Sequence, residues 1–153
     1  MLTVLSLRLL PIRLQSHLFE PLFADGNYYF FNKAAQQYLA AGSDWGTHAV
    51  VNAAGLDYEV AFANGKYTLD SKVSNGGNSQ YLNGEWNDGA AMGWIIEKTE
   101  DGDYTISNGA NYLTAQENGV VLLQGDATVE TAHWALKTKA DRVAELALLT
   151  LPS

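Results

Sequence analysis

The sequence predicts an all-β domain in which one short unit occurs three times and closes on itself. Two observations carry the prediction. Gly-x-Tyr followed by an alternating run opens three segments: Gly26-Asn27-Tyr28-Tyr29-Phe30, Gly65-Lys66-Tyr67-Thr68-Leu69 and Gly102-Asp103-Tyr104-Thr105-Ile106. Each opening is followed by a Tyr-Leu pair (Tyr38-Leu39, Tyr81-Leu82, Tyr112-Leu113) and then by an aromatic-x-aliphatic close (Tyr58-Glu59-Val60, Trp94-Ile95-Ile96, Trp134-Ala135-Leu136). Three features in one order, in three copies of about 38 residues, exceed what chance supplies. The second observation is compositional: segment 26–137 holds all 14 glycines and 15 of the 17 aromatics, which reads as short strands joined by tight turns.

Taken in chain order, each opening run is a first strand and each Tyr-Leu pair a second. A third apolar run appears as His48-Ala49-Val50-Val51 in the first copy and Gly119-Val120-Val121-Leu122-Leu123 in the third. The second copy has only Ala90-Ala91-Met92 there, so it is abbreviated. The closing aromatic starts the fourth strand, which makes about twelve in all. Asn64-Gly65, Asn83-Gly84, Asp88-Gly89, Asp101-Gly102, Asn108-Gly109 and Asn118-Gly119 give access to the positive φ that hairpin turns demand. One unit is too small to bury its apolar face, whereas three can share one core. Three copies are too few for a propeller, and a closed barrel with a hairpin cap leaves no free strand edge. Tyr58, Trp94 and Trp134 are expected in that core, and so are Tyr28, Tyr67 and Tyr104, set around a common axis.

The ends read differently. Residues 1–25 start apolar and finish at Leu22-Phe23-Ala24, like the end of a secretory signal. Arg8, Pro11, Arg13, His17 and Glu20 interrupt the uncharged stretch a signal needs. The segment is expected to be a degenerate signal or poorly ordered. In 138–153, Ala140, Val143, Ala144, Ala147 and Leu151 follow helical spacing and predict a short C-terminal helix with one apolar face. That helix either docks on the domain or leads into a further domain of a longer protein. The second is favoured, with 138–147 as a linker.

Charge and composition exclude several functions. The net charge is −8, and segment 26–139 has no Arg and six Lys, so nucleic-acid binding is not expected. There is no cysteine, hence no disulfide, thiolate metal site or Cys nucleophile. No apolar run is long enough for a membrane-spanning helix. The sequence carries no nucleophile elbow, phosphate loop or dinucleotide fingerprint, so no enzyme activity and no cofactor are expected. His17, His48 and His133 are scattered without metal-ligand spacing, and the acidic turn Glu100-Asp101-Gly102-Asp103 lacks the spacing of a Ca²⁺ loop.

Over residues 26–137 the three repeats, each with an early strand, a Tyr-Leu strand and a closing aromatic, resemble the ricin B-chain-like β-trefoil family. They also resemble the β-trefoil-type modules of large secreted bacterial surface proteins. The resemblance implies a β-trefoil fold and a lectin-like role. Two residues before the closing aromatics, where that family carries Gln, this chain has Leu56, Met92 and Ala132. At the family's sugar-gripping Asp it has Ala40, Asn83 and Thr114.

Two further tryptophans stand outside the repeat pattern. Trp45 lies in Gly42-Ser43-Asp44-Trp45-Gly46-Thr47-His48 and Trp86 in Asn83-Gly84-Glu85-Trp86-Asn87-Asp88-Gly89. An indole face packs on the C–H face of a pyranose, while a neighbouring carboxylate or amide takes paired hydroxyls. The alternative is an indole folded back as a lid on the core. The third repeat has Gln116-Glu117-Asn118 at this point and is expected to be silent. The expectation is therefore a non-catalytic carbohydrate-binding module, secreted or at the cell surface and part of a larger protein. Its sites would be Asp44, Trp45 and His48 in repeat one and Asn83, Trp86 and Asp88 in repeat two. The rival is a structural or protein-interaction spacer with no sugar binding.

Overall fold

A computed structural model of the chain describes residues 20–41, 49–75, 78–82 and 92–150. Repeat one supplies β1 (Gly26–Asn32), β2 (Gln37–Ala41), β3 (Ala49–Asn52) and β4 (Tyr58–Ala63). Repeat two supplies β5 (Lys66–Asn75), β6 (Asn78–Tyr81) and β7 (Ile95–Lys98). Repeat three supplies β8 (Tyr104–Ser107), β9 (Tyr112–Ala115), β10 (Val121–Gln124) and β11 (Trp134–Thr138). A single-turn 3-10 helix covers Glu130–Ala132, and one α-helix, α1 (Lys139–Thr150), follows β11. The described residues thus hold eleven of the about twelve strands expected, and the place of the third strand of repeat two lies largely in 83–91, outside the described residues.

The first and last strands of each repeat close a six-stranded barrel in the order β1-β4-β5-β7-β8-β11, with β11 returning to β1. The repeat register is the proof of symmetry. The opening tyrosine faces the closing aromatic in every copy: Tyr28 opposite Tyr58, Tyr67 opposite Trp94, Tyr104 opposite Trp134. Three residues further on, Phe31, Asp70 and Ser107 pair with Tyr38, Tyr81 and Tyr112. The β2–β3 and β9–β10 hairpins stand on the barrel and meet where Val50 faces Val120. This is a β-trefoil. The turn between β4 and β5 is Asn64-Gly65, both at positive φ, as a two-residue hairpin turn requires.

Equivalent positions fill the core in threes. Phe30, Leu69 and Ile106 are fully buried, as are Leu39, Leu82 and Leu113 and the closing Tyr58, Trp94 and Trp134. Trp94 Nε1 donates to the carbonyl of Leu82 at 2.8 Å, and Trp134 Nε1 to that of Leu113 at 3.1 Å. Repeat one breaks the pattern. The Leu39 carbonyl is taken instead by the backbone N–H of Leu56, at 3.1 Å, and the Tyr58 hydroxyl has no hydrogen-bond partner among the described residues. Burial alone drives that phenol far above its ordinary pKa. Tyr58→Phe is therefore expected to raise stability by about 1 kcal/mol, because it deletes a buried, unsatisfied polar group at almost no cost in volume. A urea midpoint shifted upward with unchanged slope is the readout; a downward shift would mean the hydroxyl is bonded.

The opening tyrosines differ from the expected core placement. Tyr67 is buried, but Tyr28 and Tyr104 are only partly so, and the three rings form the rim of one barrel end. Phe23 closes that rim. Its ring centroid lies 5.1 Å from Tyr28, 5.1 Å from Tyr67 and 5.6 Å from Tyr104, edge-on to the first and last and stacked on the second. Leu22 N–H donates to the Tyr67 hydroxyl at 2.7 Å, the Tyr28 hydroxyl donates to the Ala24 carbonyl at 2.7 Å, and Asp25 accepts from Phe62 N–H at 3.0 Å. Residues 22–25, which the sequence groups with the N-terminal segment, are thus packed against the trefoil.

The C-terminal helix forms as expected, started by a capping pair in which Thr138 and Asp141 each accept the other's backbone N–H. Those bonds hold the Asp141 carboxyl below its usual range. Its docking face corrects the sequence reading. Ala140, Val143, Ala144 and Ala147 are solvent-exposed, and the barrel instead takes Arg142 and Glu145. The receiving surface explains this, because the Tyr38 ring and hydroxyl, Lys137 and the Ala53 carbonyl match charged partners rather than alanines.

Candidate functional site

The six residues expected to grip sugar, Asp44, Trp45, His48, Asn83, Trp86 and Asp88, fall in 42–48 and 83–91, outside the described residues. Their flanks are described. Ala41 pairs with Ala49, so the chain joins β2 to β3 through 42–48. The other segment runs from Leu82, after β6, to Met92, just ahead of Trp94. Both are the connections that follow the second strand of a repeat. The counterpart in repeat three is a tight turn: Gly119 N–H donates to Gln116 O at 3.0 Å, Gln116 N–H to Val120 O at 2.8 Å and Val120 N–H to Asn118 Oδ1 at 3.1 Å. It carries no aromatic.

Of the positions that match the Gln and Asp of the resembled family, Asn83 lies outside the described residues and the other five are packed inward. Leu56 and Met92 lie against the core and Ala132 is fully buried, so an apolar residue suits the place better than Gln. Ala40 and Thr114 are 4% and 2% exposed, and the Thr114 hydroxyl is spent on the Tyr112 carbonyl at 2.9 Å. Neither offers a group to a ligand.

Two surface features escaped the sequence reading. The first is the seat of α1. The Arg142 guanidinium carbon lies 4.1 Å from the centroid of the Tyr38 ring, and Nη2 donates to the Ala53 carbonyl at 2.6 Å. Glu145 accepts from the Tyr38 hydroxyl and from Lys137, with Arg142 Nη1 at 3.6 Å. Burial pushes the Glu145 carboxyl up, but those bonds and the two cations outweigh it and leave it below its usual range. Burial first, and then the bond to Glu145, push the Tyr38 hydroxyl up to about 12. The second feature is a groove of about 460 Å³ on repeat three, lined by Glu97, Thr105, Tyr112, Ala127, Thr128 and His133. His133 Nε2 lies 2.7 Å from the Ala127 carbonyl at its edge. Only spatial proximity links these residues, so no spacing in the sequence could have signalled them.

The acidic turn beside that groove binds within the protein: Asp103, 8% exposed, pairs with Lys33 at 3.0 Å. Among the described residues, no group of three or more His, Asp or Glu is arranged to hold a metal, and no helix is long and apolar enough to cross a membrane.

No protein-family model and no curated protein matches the chain. Solved structures do. A salivary protein of the Cysteine and Tryptophan-Rich family from Culex quiquefasciatus superposes with a TM-score of 0.56 at 11% identity, covering 75% of this chain and 94% of that one. ThreeFoil, a designed three-fold symmetric protein, gives 0.52 at 15% identity over 74% of this chain and 99% of its own. A mosquitocidal holotoxin gives 0.51 at 11% identity over 76% of this chain and 17% of the toxin. At these identities the likeness concerns the fold.

Proposed function

We propose that the chain is a non-catalytic, lectin-like carbohydrate-binding module of an exported bacterial protein. In this reading Asp44, Trp45 and His48 form one shallow site and Asn83, Trp86 and Asp88 a second. The observation that carries it is the asymmetry among three otherwise equivalent repeats. Two of them follow the second strand with a polar, Gly-bearing segment holding one tryptophan, and the third uses a bare turn. A core needs no such residue there: the described barrel is already filled by Trp94, Trp134 and Tyr58. Single sites of this kind bind weakly, and two gain avidity only on a glycan that spans both.

Tryptophan fluorescence tests the reading, because Trp94 and Trp134 are fully buried and supply a constant background. Titration with mixed polysaccharides is expected to shift the emission, and Trp45→Ala and Trp86→Ala are each expected to remove part of the shift. A shift surviving both substitutions would move the site elsewhere. Silence toward every glycan would favour the second reading, a structural or protein-interaction spacer. The inward packing of Leu56, Met92, Ala132, Ala40 and Thr114 is what supports that rival.

A further inference from the structure

The junction between consecutive repeats builds the same groove twice among the described residues. One wall is the third residue after a closing aromatic: Lys137 after Trp134, and Glu97 after Trp94. The next repeat supplies the tyrosine of its Tyr-Leu strand, Tyr38 or Tyr112, and the loop after its third strand, Ala53-Ala54 or Ala127-Thr128. The groove of repeat one already has an occupant. Arg142 of α1 lays its guanidinium on the Tyr38 ring, donates to the Ala53 carbonyl and has Glu145 beside it. Glu145 travels with the helix and also neutralises Lys137 on the wall.

The groove of repeat three offers the same three kinds of group with the wall charge reversed. The ring is Tyr112, half-buried, the loop carbonyl is that of Ala127, which has His133 Nε2 at 2.7 Å and a second lone pair left to accept with, and the carboxylate is Glu97, which is part of the wall itself. A cation entering here needs no accompanying acid. Glu100 and Asp101 also line the groove, and with Glu97 they outweigh Lys98.

We propose that the groove of repeat three binds an arginine side chain presented by a partner polypeptide, as the groove of repeat one binds Arg142 of its own chain. Face-on contact with an aromatic ring and a planar fork of N–H donors suit a guanidinium better than an ammonium. The proposal stands apart from glycan binding through 42–48 and 83–91.

The test is amide chemical-shift mapping on the full chain, titrated with acetyl-Gly-Arg-Gly-amide and with the peptide in which neutral citrulline replaces arginine. Shifts are expected at Glu97, Lys98, Tyr112, Thr128 and His133. The citrulline peptide is expected to bind at least about tenfold more weakly, since the ring and carboxylate contacts both depend on charge. Glu97→Lys restores the wall charge of repeat one without its compensating glutamate and is expected to abolish the shifts. Glu97 is exposed, and the spectrum itself reports whether the variant folds. The proposal is overturned by absence of shifts at these residues, by equal binding of the two peptides, or by an unaltered response in Glu97→Lys. It is equally overturned if a neutral oligosaccharide shifts these residues and the arginine peptide does not.

Discussion

Trp134→Ala is expected to remove about 3–5 kcal/mol of stability, a large share of the roughly 5–15 kcal/mol that holds a domain folded. Trp134 is fully buried, and its backbone faces Asn32 of β1 and Tyr104 of β8, so the side chain fills the core where the last repeat returns to the first. The truncation opens a cavity that a closed barrel cannot collapse into, and it strips the Leu113 carbonyl of the indole N–H. Trp134→Phe separates the two effects, keeping most of the ring and losing the hydrogen bond, for an expected loss of about 1–3 kcal/mol. Urea denaturation measures both. A loss below about 1 kcal/mol for Trp134→Ala would contradict the shared core, because no fully buried tryptophan in a close-packed interior is so cheaply removed.

Phe23→Ala is the second large effect, expected at about 2 kcal/mol. The residue is half-buried, which reduces the transfer contribution, but it contacts three tyrosine rings, and each such aromatic pair adds about 0.5–1.5 kcal/mol beyond area. Its loss also uncovers the apolar rim of the barrel, where Leu22 and Phe62 pack. Phe23→Leu should cost roughly half as much as Phe23→Ala, since most of the apolar volume stays while the ring contacts go. Leu148→Ala on α1, 70% exposed, is the control expected to change nothing measurable. If Phe23→Ala behaved like that control, the plug would be an incidental contact.

The legible part of the fold was the part written three times. Tyr28, Tyr67 and Tyr104 could be aligned from the sequence, as could Tyr58, Trp94 and Trp134; that the two sets pair across neighbouring strands is a finding of the structure. Leu39, Leu82 and Leu113 each follow a tyrosine that lies on the other face of its strand: Tyr81 and Tyr112 are half-buried, and Tyr38 is buried where α1 sits on it. Phe23 escaped because the described residues hold one such plug for three repeats. A singular feature leaves no periodic trace, and its neighbours resemble a signal sequence. The helix was found from its period, but its orientation was not. Helical spacing identifies an apolar face on the assumption that the receiving surface is apolar, and here that surface is the Tyr38 ring, a lysine and a carbonyl. The candidate sugar residues stand where the sequence left them, in 42–48 and 83–91. The arginine-type groove of repeat three was invisible because Glu97, Tyr112 and Ala127 meet only when the barrel closes.

The pseudo-threefold arrangement about one axis is tested most directly by proton–proton cross-relaxation from the Phe23 ring. The account predicts cross-peaks to the ring protons of Tyr28, Tyr67 and Tyr104 together, one tyrosine from each repeat around a single phenyl group. Cross-peaks to one of them alone, or to none, would place the three tyrosines in separate surroundings and contradict the shared centre.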